Sequence, residues 1–204
     1  MYLPDAERVK LVELQTNWDY YAPHVLKVKD EDTGLLVPFQ PRVAQVYVHQ
    51  RAERQRTTTG KVRLLVLKGR RQGVSTYVEG RFYWKTSMTP GLQARILTHL
   101  QEATDVLFSM TQRYHDNCPR ALRPSTKNES AKALTFDQLG SEFMVATAGS
   151  KNTGRSANAH LFHGSEVAFW EHAADHMAGI GQIVPNSPGT EIWLESTGNG
   201  IGNL

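Results

Sequence analysis

The chain has 204 residues, 40% hydrophobic and 21% charged, with a net charge of +3; this is the composition of a globular domain with a real core and excludes a disordered or fibrous chain. No stretch approaches the roughly 18 uninterrupted apolar residues of a membrane span, and the start "MYLPDAERVK" lacks the apolar centre of a secretion signal, so neither a membrane nor an exported setting is expected. The single Cys118 closes no intrachain disulfide and fits a reducing, cytoplasmic compartment.

In chain order, "DAERVKLVELQTNWDYYAPHVL" spaces Val9, Leu11, Val12 and Leu14 among charges as one amphipathic helix, closed or bent at Pro23. Residues 1–27 are therefore expected to form a helical lead-in, and residues 28–204 the main domain. "HVLKVKDEDTGLLVPF" reads as a small hairpin turning at Asp-Thr-Gly, and "RVAQVYVHQRAERQRTTTG" as a helix ending at Gly60. "KVRLLVL" is a buried strand, followed by the turn "KGRRQGVST" and a helix from Gly73 to Met88. "LQARILTH" is a strand, "QEATDVLFSMTQRYHDNC" a helix stopped by Pro119, and "PRALRPSTKNESAK" an exposed loop. "KALTFDQLG" and "SEFMVATAG" pair as a hairpin at Gly140; "SKNTGRSANA" is a loop; "HLFHGSEVAFW" is a strand ending at an acid. "EHAADHMAGIGQIV" is helical and "TEIWLEST" the last strand. Strands alternating with helices at these spacings predict an α/β fold, an open and mostly parallel sheet with helices on both faces.

The chemistry concentrates at three strand ends. A glycine turn between a buried strand and a helix start binds phosphate through backbone N–H groups, and Gly69 and Gly73 are spaced for it. In the standard pattern the residue after the second glycine is a lysine; here it is Val74. Lys68 at the start of the loop is the candidate substitute, with Arg70 or Arg71 as a guanidinium fork. Ser75 takes the position of a Mg²⁺-binding hydroxyl. Glu166, where the next strand's apolar residues run out, is a candidate for orienting and deprotonating an attacking water; Ser165 precedes it where an aspartate is usual. Ser196 and Thr197 end the last strand. The Lys/Arg residues between Arg51 and Arg71, opposed by Glu53 alone, suggest an anion-binding face. His160, His163, His172 and His176 are close in sequence but belong to no metal motif, and read as structural or surface residues.

The series "VPFQPRVAQ", "VLKGRRQGVST", "GRSANAHLFHGSEVAFW" and "LESTGNG" resembles the ATPase domain of tailed-bacteriophage large terminase subunits, from about Val28 to Gly200. The resemblance implies a P-loop NTPase fold of the RecA/ASCE kind and ATP with Mg²⁺ as ligands, hydrolysed to move double-stranded DNA into a procapsid in the host cytoplasm. ATP would be held by Lys68, Gly69, Arg70, Arg71, Gln72, Gly73, Val74, Ser75 and Thr76, in a loop whose first lysine replaces the usual one. Gln45, or failing that Gln40, resembles the adenine-reading glutamine. Glu166 resembles the catalytic acid, Arg155 an arginine finger reaching a neighbouring subunit, and Ser196 with Thr197 the motif coupling hydrolysis to movement. The metal would fall to Ser75, Ser165 and Glu166. A homo-oligomeric ring, a portal protein and a small terminase subunit are implied partners, and the ribonuclease H-like nuclease domain of such subunits is not expected within these residues. Another helicase-like P-loop ATPase, or an inactive nucleotide- or DNA-binding module, remains an alternative at this level.

Overall fold

A computed structural model describes residues 5–130, 132–148 and 158–200. In chain order these form α1 (Asp5–Thr16), α2 (Trp18–Val25), β1 (Lys27–Lys29), β2 (Leu36–Pro38), α3 (Val43–Thr59), β3 (Val62–Leu67), α4 (Val74–Met88), β4 (Gln93–Thr98) and α5 (Gln101–Asp116). Then follow β5 (Thr126–Ser130), β6 (Ala133–Phe136), β7 (Ser141–Thr147), β8 (Leu161–Ser165), a 3₁₀ turn at Val167–Phe169, α6 (Ala173–Ile183) and β9 (Glu191–Ser196).

β1 and β2 form a small antiparallel hairpin, and the other strands form one sheet in the order β3-β9-β8-β4-β7-β6-β5. Pairing is parallel from β3 through β7 and antiparallel for β7-β6 and β6-β5. One face of the sheet is covered by α2, α3, α4 and α5, whose buried residues share a core with Val62, Ile96, Val145 and Trp193. The other face packs Phe162, Val167, Trp170, Ile180 and Ile183 around α6. The α/β fold with a mostly parallel, two-sided sheet is therefore present. Among the described residues no helix is long and apolar enough to cross a membrane.

The N-terminal segment departs from a single bent helix. Asn17 interrupts it, its Oδ1 accepting from the N–H groups of Asp19 (3.0 Å) and Tyr20 (3.3 Å), which is an N-cap for a new helix. Pro23 lies inside α2 rather than ending it. Trp18 meets the ring of Tyr77 edge-on at 5.3 Å, and Trp84 donates from Nε1 to the Leu14 carbonyl at 2.7 Å, so the lead-in packs into the same core as α4. The segment read as a loop after Pro119 contains β5, a sheet-edge strand whose register shifts between Thr126 and Glu129. An edge strand needs no apolar face, so its polar sequence carries no alternation to read.

In-register parallel strands place their odd residues together: Leu161, His163 and Ser165 of β8 lie beside Glu191, Trp193 and Glu195 of β9 on the face toward α4. The strand ends at Leu67, Ser165 and Ser196 thereby open onto the start of α4, the end of an open α/β sheet where ligands bind.

Candidate active site

β3 runs out at Leu67 and the chain turns through residues 68–73 into α4. Gly73 begins the helix at φ 72°, a left-handed conformation that a side chain would strain. Arg71 also takes positive φ (59°), and its carbonyl accepts from Arg42 Nη1 at 3.1 Å. The loop is braced from below by Gln45, whose Nε2 donates to the Gly73 carbonyl at 2.7 Å while its Oε1 accepts from Arg42 N at 2.8 Å. Gly69, Arg70, Arg71 and Gln72 are exposed. The first turn of α4 has no side-chain cap, so its leading N–H groups are the open donors of a helix start. Val74 is 2% exposed and packs in the core; the position that usually carries the lysine points inward, away from the loop's mouth.

Lys68 is where the charge is. Its Nζ lies 3.0 Å from Glu166 Oε1 and 2.8 Å from Glu195 Oε2. Burial lowers the lysine pKa, but Glu195 and then Glu166 more than offset this and hold it above its usual value. Glu166 sits at φ 54°, a strained backbone for a non-glycine residue, and its Oε2 accepts from Thr197 N at 2.9 Å and Thr197 Oγ1 at 2.8 Å. Partial burial raises its pKa; the Thr197 hydrogen bonds and Lys68 outweigh that and keep the carboxyl below its usual range.

Beneath lies a carboxylate that motif reading missed. Glu195 Oε1 accepts from both Ser75 Oγ and Ser165 Oγ, each at 2.8 Å, and faces His163 Nε2 at 3.5 Å. His163 is buried, with Nδ1 2.7 Å from Glu79 Oε1. Burial raises Glu195, but His163 and Lys68 pull its pKa down to about 2. Its one sequence signal was a second acid, after Glu191, near the end of the otherwise apolar strand "EIWLES".

The sequence candidates thus separate. Lys68, Ser75, Ser165, Glu166, Ser196 and Thr197 converge; a cleft of about 340 Å³ is lined by Lys68, Arg70, Arg71, His99, Glu166, Phe169 and Thr197. Thr76 contributes its carbonyl to Tyr114 Oη at 3.1 Å. Gln45 is buried with its amide committed at both ends, whereas Gln40 is exposed. Arg155 lies outside the described residues. The histidines do not gather: His160 Nδ1 accepts from Gln93 N at 3.1 Å, and His176 packs against Trp170. A separate cavity of about 710 Å³ opens at the far end of α4, over Arg81, Glu53 and Lys85, and shares no lining residue with the cleft.

No protein-family model matches the chain, and no curated protein matches it in sequence. Solved structures do match in fold. The crystal structure of the HK97 bacteriophage large terminase is similar with a TM-score of 0.61 and 12% identity, over 78% of this chain and 34% of that chain. The large terminase ATPase domain of Thermus phage P74-26 gives 0.57 and 16%, over 80% and 67%. The large terminase of a thermophilic bacteriophage gives 0.50 and 10%, over 92% and 38%. The chain thus spans about a third of the HK97 protein and somewhat more of the thermophilic phage's protein. The resemblance read from the motifs holds at the level of architecture: this chain has the P-loop fold of bacteriophage large terminase ATPase domains.

Proposed function

We propose that the chain is the ATPase motor domain of a viral large terminase subunit, hydrolysing Mg-ATP to translocate double-stranded DNA into a procapsid. The observation that carries this reading is the convergence of Lys68 and Glu166, 3.0 Å apart, at the mouth of a glycine loop that opens into α4. The loop amides and the α4 start would take the phosphates, with Lys68, Arg70 and Arg71 adding charge and the exposed Gln40, rather than the buried and committed Gln45, meeting the base. Ser75, Ser165 and Glu195 bring three oxygen donors together with Glu166 nearby, a hard set suited to Mg²⁺, beside the nitrogens of Lys68 and His163 that now neutralise Glu195. Mg²⁺, when bound, neutralises charge on the β- and γ-phosphate oxygens.

Glu166 is ionised at neutral pH and is aimed by Thr197; it would orient the attacking water and accept its proton. Because Thr197 donates to Glu166 through both backbone and hydroxyl, a change at the phosphates would pass to the end of β9, which fits a coupling role for Ser196 and Thr197. Binding to DNA would be through phosphates, independent of sequence and weakened by salt. A ring on a portal protein, served by a small terminase subunit, completes the reading.

The test is paired. Glu166→Gln is expected to keep ATP affinity while turnover falls roughly 10²–10⁴-fold; unchanged hydrolysis would sink the assignment. Lys68→Ala should weaken binding of a fluorescent ATP analogue by about 10-fold or more, whereas Lys61→Ala, whose Nζ is bound to Asn186 at the opposite end of β3, should not. Equal effects would remove Lys68 from the phosphate site.

A further inference from the structure

Ser165 ends β8 beside the hydroxyl of Ser75 in the first turn of α4 but carries no charge. The carboxylate that meets both hydroxyls comes from the neighbouring strand: Ser165 and Glu195 are register partners in the parallel β8-β9 pair, and Ser75 Oγ and Ser165 Oγ donate to the same oxygen, Glu195 Oε1. Glu195 is 1% exposed. A buried carboxylate needs a countercharge, and Glu195 has two of different kinds. His163 is fixed inside the core between Glu79 and Glu195. Lys68 reaches Oε2 from the loop side and is the cation that the proposed function turns toward phosphate.

Glu191, four residues earlier on the same strand face, shows the contrast. Its oxygens are taken by Arg81 Nε and Nη2, both at 2.9 Å, and by Lys85 Nζ at 2.5 Å, all on α4 and none on a loop. Glu191 is saturated by cations of a single helix. Glu195 loses a countercharge whenever Lys68 leaves; His163 remains on the core side of Oε1, while Oε2 is freed beside the Ser75 and Ser165 hydroxyls, hard oxygen donors.

We propose that Glu195 supplies the carboxylate of the divalent-cation site, serving from β9 in the place where Ser165 on β8 has no charge, and that Lys68 and the divalent cation exchange on it. This rests on the nucleotide-site reading above. The cation neutralises Glu195 as Lys68 turns to the phosphates, and the Ser75 hydroxyl is released from Glu195 Oε1 to serve as a ligand. Nucleotide and metal therefore bind cooperatively, because each removes one partner from the other's site.

The experiment measures the affinity of a fluorescent ADP analogue in EDTA and in Mg²⁺, with Mn²⁺ titrated alongside by electron paramagnetic resonance. In the natural protein Mg²⁺ tightens ADP binding. In Glu195→Gln, metal-free ADP affinity is expected to be equal or higher, since Lys68 is less restrained, while the metal-linked gain falls by about 10–100-fold. Adding Ser165→Asp to Glu195→Gln returns a carboxylate to the adjacent strand and should restore most of the gain. A full metal-linked gain in Glu195→Gln overturns the inference, as does loss of ADP binding in EDTA alone. ADP bound by the natural protein under neither condition overturns instead the nucleotide site on which it rests. If Glu195→Gln does not fold, Ser165→Asp in the natural background decides: a larger metal-linked gain supports a cation held between the two strands, and an unchanged one overturns it.

Discussion

His163 lies fully buried, with a carboxylate on either side: Glu79 of α4 at Nδ1 and Glu195 of β9 at Nε2, with the Phe82 ring edge-on at 6.4 Å. Burial pulls an imidazole toward neutrality, but the two acids outweigh it and raise the pKa to about 9. Burial acts the opposite way on Glu79, raising its pKa by more than the hydrogen bond and charge of His163 lower it. The sign of the stability effect follows from the direction of the histidine shift. A group protonated more readily in the folded state stabilises fully below its unfolded pKa, near 6.5, and that contribution is lost as pH rises through about 9. Thermal stability is therefore expected to fall between about pH 6.5 and about pH 9, by at most roughly 3 kcal/mol. His163→Gln should flatten that slope whatever it does to absolute stability; melting temperatures across the range are the measurement, and an identical slope in the variant would refute the linkage.

The loop and the helices α3 and α4 stand or fall as a unit, because one side chain ties their starts. Gln45 bonds Arg42 N at the head of α3 and the Gly73 carbonyl at the head of α4. A Cβ built on Gly73 would lie 2.5 Å from Gln45 Nε2, at a φ of +72°. Gly73→Ala is thus expected to cost at least about 1–2 kcal/mol from the left-handed backbone alone and to displace Gln45, so that denaturant midpoint and ATP-analogue affinity fall together; a fall in neither would mean that the loop tolerates an ordinary turn. Much at this scale was legible in the sequence. The run from Val62 to Leu67, the glycines and the helix to Met88 are local signals and lie where their patterns put them. What escaped was non-local. Glu195 acquires its meaning from parallel register with Ser165 and from Ser75, 120 positions away, and no local pattern carries that. Gln45 was read for its place after a Pro-Phe pair, yet its environment is fixed by Gly73, 28 positions on. The break at Asn17 was not read from the sequence, because the apolar spacing around it favoured continuity; the cap shows only in the folded chain.

Across the whole molecule, the sheet begins at β3, so the strand that feeds the loop is an outer strand with one side unpaired among the described residues. Its α4-facing residues Leu64 and Val66 pack against the core, while Leu65 and Leu67 on the opposite face are 69% and 79% exposed. Leu65 is in register with Leu194, which packs against the α6 core, so this apolar face continues the sheet's second face past the cover of α6. Exposed apolar surface next to the cleft suits a neighbouring copy, and the finger role implied for Arg155 requires one. The hydrolysis rate per molecule is accordingly expected to climb with protein concentration and to rise further with linear duplex DNA. Arg155→Ala should abolish the climb, since a finger supplied in trans is worth about 10³–10⁵ in rate. Mixing is the sharper form of the test: Arg155→Ala retains an intact Glu166 and Glu166→Gln retains an intact finger, so the two inactive variants together should recover activity that neither has alone. A rate per molecule independent of concentration, with no recovery on mixing, would make each chain's site complete in itself and would leave Arg155 without a role in a neighbour's chemistry.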